Sequence, residues 1–218
     1  MGDKRDKGNR KAGCDCGDRK AKSPKEGQRF RTIYYQLLRL KMILTLSKEA
    51  LLSAMIFQAK KDVRYYLNGI CFAPDKKLFA TDGHRLFIGE HDTEGLEGNV
   101  IVAINGPKFT KFKTAVIDTE TGVVSYLDKN GIKACIGLCE VIDGVYPKVE
   151  RIIPKENNPV SEIGFNAGYL ADIEKAAKLY SPKYCGIRIK PSSTIGSAII
   201  EFAGSFSKAS VVIMPMRF

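Results

Sequence analysis

The chain has 218 residues, of which 44% are hydrophobic, and it carries a formal net charge of +11. That length is enough for one large domain or two small ones, and the composition is typical of a globular protein. The sequence holds no apolar run of membrane-spanning length, and no apolar block follows the N-terminal charges, which argues against a membrane helix and a secretory signal. We therefore expect a soluble, cytoplasmic protein.

The positive charge is concentrated in residues 1–41, which hold 13 Lys or Arg and 5 Asp or Glu. This segment is polar and Gly-rich, so we predict a disordered basic tail that cannot bury enough apolar surface to offset its ordering entropy. It is either a nucleic-acid-binding arm or upstream sequence included by a wrongly chosen start codon. We favour the second interpretation, because a clean strand and helix begin at Met42.

From Met42 onward the hydrophobic pattern predicts three rounds of a strand, a helix and further strands. In the first round we predict a strand over 42–46 and a helix that begins after Ser47 and ends near Lys61. Strands over 64–72, 77–82 and 85–91 follow.

The second round has a predicted strand over 99–104 and a helix that Gly106 and Pro107 open and that runs to about Val116. Its remaining strands are predicted over 122–128, 133–142 and 149–154. The third round has a strand over 162–166, a helix capped by Asn166 and three terminal strands. Such units bury each helix against a sheet, so we predict an α+β fold with helices packed on one face of antiparallel sheets.

The stretch TDGHRLF, residues 81–87, places Asp82 beside His84 and raises the question of catalysis or metal binding. A catalytic or metal role needs further nucleophiles or ligands at suitable spacing, and the sequence offers none. The six cysteines also lack the spacing of a common zinc site. We expect a tight turn in which Gly83 adopts an unusual backbone angle, with no catalytic residue, no metal and no cofactor.

Five segments carry a resemblance to a known family. They are RYYLNGICF (64–72), ATDGHRLF (80–87), DGVYPKVERIIPK (143–155), IGFNAGYLADI (163–173) and VVIMPMRF (211–218). In this order they resemble the bacterial DNA sliding clamp, the beta subunit of DNA polymerase III. Residues 42–154 resemble its middle domain, and residues 155–218 resemble the second half of its last domain.

The resemblance implies a DNA clamp-like fold and a non-catalytic accessory role in DNA replication. Clamps of this family are homo-oligomeric rings whose helices line a hole around duplex DNA, which they bind without sequence specificity. They tether DNA polymerase, the clamp loader and other replication or repair proteins through short peptides rich in Gln, Leu and Phe. These peptides dock in a pocket between the middle and last domains.

The matching positions give two sets of expected site residues. The peptide-binding pocket would contain Leu67, Thr81, Gly83, His84, Arg85, Leu86, Pro147, Arg151, Ile152, Val212, Met214, Pro215, Met216, Arg217 and Phe218. The DNA-facing residues would be Tyr65, Tyr66, Lys60, Lys61, Lys108 and Lys111. We expect an apolar groove with Arg85, Arg151 and Arg217 at its rim, where they can hydrogen-bond to a peptide.

The sequence also departs from the family, because the first domain and the first half of the last domain have no counterpart here. A DNA-encircling ring is therefore one hypothesis, and a non-encircling peptide-binding adaptor or decoy is another. A simple basic DNA binder acting through residues 1–41 is a third. An enzyme that uses Asp82 and His84 is the fourth, and we regard it as the weakest.

Overall fold

The computed structural model describes residues 42–106, 109–204 and 208–217. The predictions for the tail of residues 1–41, and those for Pro107, Lys108 and Phe218, lie outside the described residues.

The described residues form eleven strands and two α-helices. The strands are β1 (Ile43–Ser47), β2 (Ile70–Phe72), β3 (Lys77–Thr81), β4 (Arg85–Glu90), β5 (Val100–Asn105), β6 (Thr114–Asp118), β7 (Val123–Leu127), β8 (Lys133–Ile142), β9 (Ile187–Pro191), β10 (Ala198–Phe202) and β11 (Ser210–Ile213). The helices are α1 (Lys48–Phe57) and α2 (Ala167–Tyr180). Neither described helix is long and apolar enough to cross a membrane.

All eleven strands join one antiparallel sheet in the order β1-β6-β7-β8-β5-β2-β3-β4-β11-β10-β9. The pairing of β4 with β11 connects the two segments that we assigned to different domains. The α+β fold with helices on one face of an antiparallel sheet is confirmed. The domain division between residues 154 and 155 stays a prediction.

Both helices begin where the sequence predicts. The Ser47 hydroxyl accepts a hydrogen bond from the Ala50 N–H at 3.2 Å, and the Asn166 side chain accepts one from the Gly168 N–H at 2.8 Å. Each side chain satisfies an N–H that the first helical turn leaves without a partner. Helix α1 ends at Phe57, one turn earlier than the predicted Lys61.

The predicted helix of the second round is wrong over its described part. Residues 109–113 are irregular and residues 114–118 form β6. Phe109 and Phe112 suggested a helical stripe, but both rings pack on Tyr126, at centroid distances of 5.6 and 4.9 Å. The β-branched run that follows pairs with β1 instead, so tertiary pairing overrides the local pattern.

Three shorter predictions are also corrected. The segment 64–69 contains a 3-10 turn at Tyr65–Asn68, and the strand starts only at Ile70. The predicted strand over 149–154 is a 3-10 turn at Val149–Arg151. The segment 162–166 contributes a single bridge, from Gly164 to Met216, instead of a strand. In the first of these segments the Asn68 side chain accepts a hydrogen bond from the Asp62 N–H at 2.9 Å, a local side-chain-to-backbone bond that competes with strand pairing.

The sheet has a buried apolar cluster on each face. On the inner face, which carries α1 and α2, fully buried residues of both helices pack on alternate residues of the strands, such as Ile70 and Phe72. The intervening residue, Cys71, points to the outer face. There it joins a second cluster of Ala59, Leu67, Cys71, Ala73, Phe79, Leu86, Ile101, Tyr146, Val149 and Val212, which we call the outer cluster.

Candidate peptide-docking surface

The pairing of β4 with β11 brings the TDGHRLF stretch beside the C-terminal segment. Leu86 lies opposite Val212, and Arg85 lies opposite Ile213. The ladder continues past the strands, since the Met214 N–H donates to the His84 carbonyl at 3.0 Å. Two of the family-like segments, far apart in sequence, therefore form one continuous surface.

Three predicted pocket residues meet beneath this surface. Leu67, Leu86 and Val212 are each 1–2% exposed and belong to the outer cluster. Because neighbours already cover their side chains, they would form the floor of the predicted docking surface, and we call them the floor residues. In this conformation they form a covered layer beneath the surface, and they do not line a deep groove.

The turn at residues 81–84 is held by its own side chains. Asp82 Oδ1 accepts hydrogen bonds from the N–H groups of His84 and Arg85, both at 2.9 Å. Thr81 Oγ1 accepts from the Gly83 N–H at 3.0 Å and donates to the Arg85 carbonyl at 2.6 Å. Gly83 has a φ of +93°, which favours glycine, as the tight-turn prediction requires. Asp82 is thus committed to building the turn.

Arg85 lies inside the structure and not at the rim where we predicted it. Its side chain is 8% exposed and bonds to Asp82 Oδ2 through Nε and Nη2, at 2.9 and 2.8 Å, and to Asp172 Oδ2 through Nη1, at 2.8 Å. The guanidinium also lies 4.4 Å from the centre of the Tyr169 ring. Burial by itself would lower the pKa of Arg85, but the bonds to Asp172 and Asp82 outweigh it and raise the pKa.

Tyr169 and Asp172 belong to this site, although the sequence reasoning did not assign them to it. They lie three residues apart on α2 and so share one helix face. Tyr169 stacks on the exposed His84 ring at a centroid distance of 6.1 Å, and Asp172 holds Arg85. The Asn166 cap could have located both residues on the first turns of α2. The sequence did not show which part of the molecule this helix face contacts.

The remaining described pocket residues are more accessible. Ile152, Met214 and Met216 are 43%, 41% and 44% exposed, and Arg151 and Arg217 are also exposed. Pro215 is partly buried between the two methionines. The chain after β11 is anchored by a hydrogen bond from the Met216 N–H to the Gly164 carbonyl at 2.9 Å. These residues offer apolar atoms at the edge of the buried floor.

Pro147 lines a separate opening on the same face. A cavity of about 260 Å³ lies beside Pro147 and Pro74, and four members of the outer cluster line it: Ala73, Phe79, Tyr146 and Val149. The outer cluster thus connects Pro147 to the floor residues, but Pro147 does not line the surface at β4 and β11 directly.

The residues predicted to face DNA fall into two places. Lys60, Lys61 and Tyr65 are exposed on the segment after α1, where the Tyr65 ring meets Tyr66 edge-on at 5.7 Å. Lys111 is exposed on the irregular segment before β6. Near the first group, the side chain of Arg64 bonds to Asp62, and this lowers the pKa of Asp62 to about 2.

Comparisons with known proteins find similar sequences and a similar fold. No protein-family model matches the chain. It is 28% identical over 151 residues to the beta sliding clamp of Proteus mirabilis, covering 65% of this chain and 41% of that protein. It is 25% identical, over an alignment 236 positions long, to the beta sliding clamp of Salmonella typhimurium, covering 78% of this chain and 63% of that protein.

The structure of the DNA polymerase III subunit beta from Pseudomonas aeruginosa superposes with a TM-score of 0.56, at 17% identity, over 81% of this chain and 67% of that one. That likeness shows a shared fold. The chain spans about 41% to 63% of the length of the two curated relatives. The curated relatives show that the chain is related to part of the bacterial beta sliding clamp, and the superposition shows the same fold.

Proposed function

We propose that the chain is a non-catalytic, sliding clamp-like processivity factor. It docks short linear peptides of DNA polymerase, the clamp loader and other replication or repair proteins, and tethers them to duplex DNA. The observation that carries the proposal is the β4–β11 pairing, which sets the exposed end of the chain beside the TDGHRLF turn. The clamp relatives supply the expectation of DNA and polymerase as partners.

The chemistry of the surface suits an apolar peptide. The floor residues Leu67, Leu86 and Val212 are already desolvated and support the surface from below. The apolar area that a peptide can remove from water lies on the exposed side chains at its edge, such as Ile152. Met214 and Met216 are exposed and unbranched, and methionine adapts to peptides of differing shape. Arg217 and Arg151 can hydrogen-bond to peptide carbonyls or acidic groups.

A non-encircling adaptor or decoy is the second candidate, and one observation favours it. The exposed lysines of α2 are paired with acids of the same helix, Lys175 with Asp172 at 2.7 Å and Lys178 with Glu174. Helix α1 is nearly covered along its whole length. The helix face therefore presents less net positive charge to phosphates than the lysine count suggests.

Retention on DNA separates the two candidates. The full chain would be incubated with a bacterial clamp loader and a closed DNA circle, and bound protein would be measured before and after the circle is cut. A processivity factor stays on the circle and leaves the linear DNA. Peptide binding without retention on the circle would establish the adaptor in its place, and absence of both would overturn the proposed function.

A further inference from the structure

The two edges of the sheet are finished differently. At β1, the outward-facing backbone of Thr45 is already bonded, because its carbonyl accepts from the Asp92 N–H at 2.8 Å and its N–H donates to Thr93 Oγ1 at 2.9 Å. At the other end, strand pairing among residues 42–106, 109–204 and 208–217 stops at β9. An edge that stops in this way can accept a further strand.

The hydrogen bonds of β9 show which backbone groups face outward. The Ala203 N–H donates to the Gly186 carbonyl, and the Ser192 N–H donates to the Ser197 carbonyl, so even-numbered residues bond to β10. In an antiparallel ladder the backbone N–H and C=O groups of the odd-numbered residues then point away from β10, toward the open edge. These are Ile187, Ile189 and Pro191, and the Pro191 carbonyl is already taken by the Asn158 N–H at 3.0 Å. The open edge is thus centred on Ile187 and Ile189.

Strand β6, which lies next to the edge strand β1 at the opposite end of the sheet, shows what β9 lacks. Strand β6 buries Ala115 and Ile117 completely on the inner face, because they lie opposite two leucines of β1. In β9, Ile187 and Ile189 also lie on the inner face, since they pair with buried residues of β10, yet they are 40% and 39% exposed. A neighbouring strand with apolar side chains would cover them as β1 covers β6.

The outer face of β9 selects the charge of that strand. Arg188 and Lys190 both reach the carboxylate of Glu201, Arg188 at 3.9 Å, and the Arg188 side chain is still 62% exposed, so this edge presents positive charge to an incoming strand. We propose that the β9 edge takes up an extended segment of a partner protein by strand addition. That segment carries apolar residues opposite Ile187 and Ile189 and an acidic residue opposite Arg188.

A second copy of the chain fits the edge poorly. Pairing β9 with another β9 in antiparallel fashion would set Arg188 against Arg188 or Lys190 of the other copy, and like charges directly opposite are destabilising. Pairing β9 with β1 would be parallel, because the eleven strands alternate in direction, and the β1 edge is already covered. The charges on β9 therefore disfavour pairing with a second copy of the chain and favour a partner strand that carries acidic residues.

This inference does not depend on the proposed function, because β9 lies two strands away from the surface between β4 and β11. It is tested by titrating the full chain with the labelled peptide Thr-Val-Glu-Val-Glu-Val-Thr and with the same peptide carrying Lys in place of Glu. Fluorescence anisotropy would report binding. We expect the acidic peptide to bind roughly fivefold more tightly, through the cross-strand charge pair.

Two variants locate the binding. Ile189→Pro removes an outward-facing N–H and spares the bonds to β10, so it should abolish binding, whereas the control Ile189→Val should retain it. Arg188→Glu should reverse the preference between the two peptides. If Ile189→Pro lowers the melting temperature, its loss of binding could reflect unfolding, and the peptide preference of Arg188→Glu then becomes the test of the proposal. Binding of both peptides with equal affinity, binding of neither at millimolar concentration, unchanged binding by a folded Ile189→Pro chain, or dimerisation that Ile189→Pro removes would overturn the proposal.

Discussion

The two faces of the sheet are covered in different ways. Among the described residues, the inner face carries both α-helices, whereas the outer cluster is covered by loops and two 3-10 turns. Fully buried side chains on the inner face come from both helices and most strands. On the outer face, buried residues such as Leu86 lie close to exposed ones such as Met214. The difference suggests that the inner face stabilises the fold and the outer face is available for docking.

The largest effect should come from the inner face. Leu51 of α1 is fully buried, so Leu51→Ala removes apolar contacts and leaves a cavity, which should lower the free energy of unfolding by about 3 kcal/mol. Urea denaturation of both chains measures this. The exposed control Ile132→Ala should change the free energy of unfolding very little. A loss as small as that of the control would mean that the inner core is not the main source of stability.

Arg85 links the two faces and should give the next largest effect. Arg85→Leu leaves the carboxylates of Asp82 and Asp172 without their shared partner, at a cost of about 2 kcal/mol, reduced from a fully buried pair because Asp172 is partly exposed. Peptide affinity should fall too, because the turn that carries His84 loses its anchor. Denaturation and peptide titration would be compared with Asp172→Asn, for which a smaller loss is expected. Unchanged stability in Arg85→Leu would refute this linking role.

On the outer face, affinity should change without stability. Met216→Ala shortens a 44% exposed side chain at the edge of the floor, and we expect peptide affinity to fall roughly tenfold. The free energy of unfolding should stay within about 0.5 kcal/mol of the parent. Ile132→Ala serves again as the exposed control. Equal peptide affinity in both variants would show that the docking surface does not include the C-terminal segment.

The smallest effect concerns pH. His91 is buried, its Nδ1 accepts from the Thr93 N–H at 3.2 Å, and its Nε2 lies 3.0 Å from the Ala73 carbonyl, so the neutral ring fits and the charged ring does not. Burial lowers the pKa of His91. The stabilisation is thus present above the ordinary pKa of about 6.5 and is lost as pH falls through the lowered folded value.

We expect unfolding free energy to decrease by about 1 kcal/mol between roughly pH 7 and pH 5. In His91→Gln this slope should be flatter, which denaturation at each pH would measure. Lowered carboxyl pKa values, such as those of Asp62 and Asp172, act at more acidic pH and leave this window clear. The same slope in both chains would assign the pH dependence to other groups.

The sequence predicted those features of the fold that depend on contacts between residues close together in the chain. The caps Ser47 and Asn166 located both helices correctly, because each side chain bonds within its own first turn. The helix expected near Phe109 and Phe112 failed, because their contact with Tyr126 is a long-range one that spacing does not reveal.

The same distinction applies to the candidate site. The resemblance identified Leu67, Leu86 and Val212, and the outer cluster brings them together. It did not yield Tyr169 or Asp172 as site residues, nor the burial of Arg85. Those features arise only once β4 pairs with β11 and α2 lies over the turn. Sequence periodicity contains no direct measure of such a pairing.

The central claim is that the β4–β11 pairing builds a peptide-docking surface. It is tested most directly by titrating a labelled peptide containing Gln, Leu and Phe with the full chain and with a chain lacking residues 214–218. Both chains would be checked for the same melting temperature, since the deletion spares β11. We predict saturable binding by the full chain and loss of binding on deletion. Equal affinity in the two chains, or no binding by the full chain, would contradict the claim.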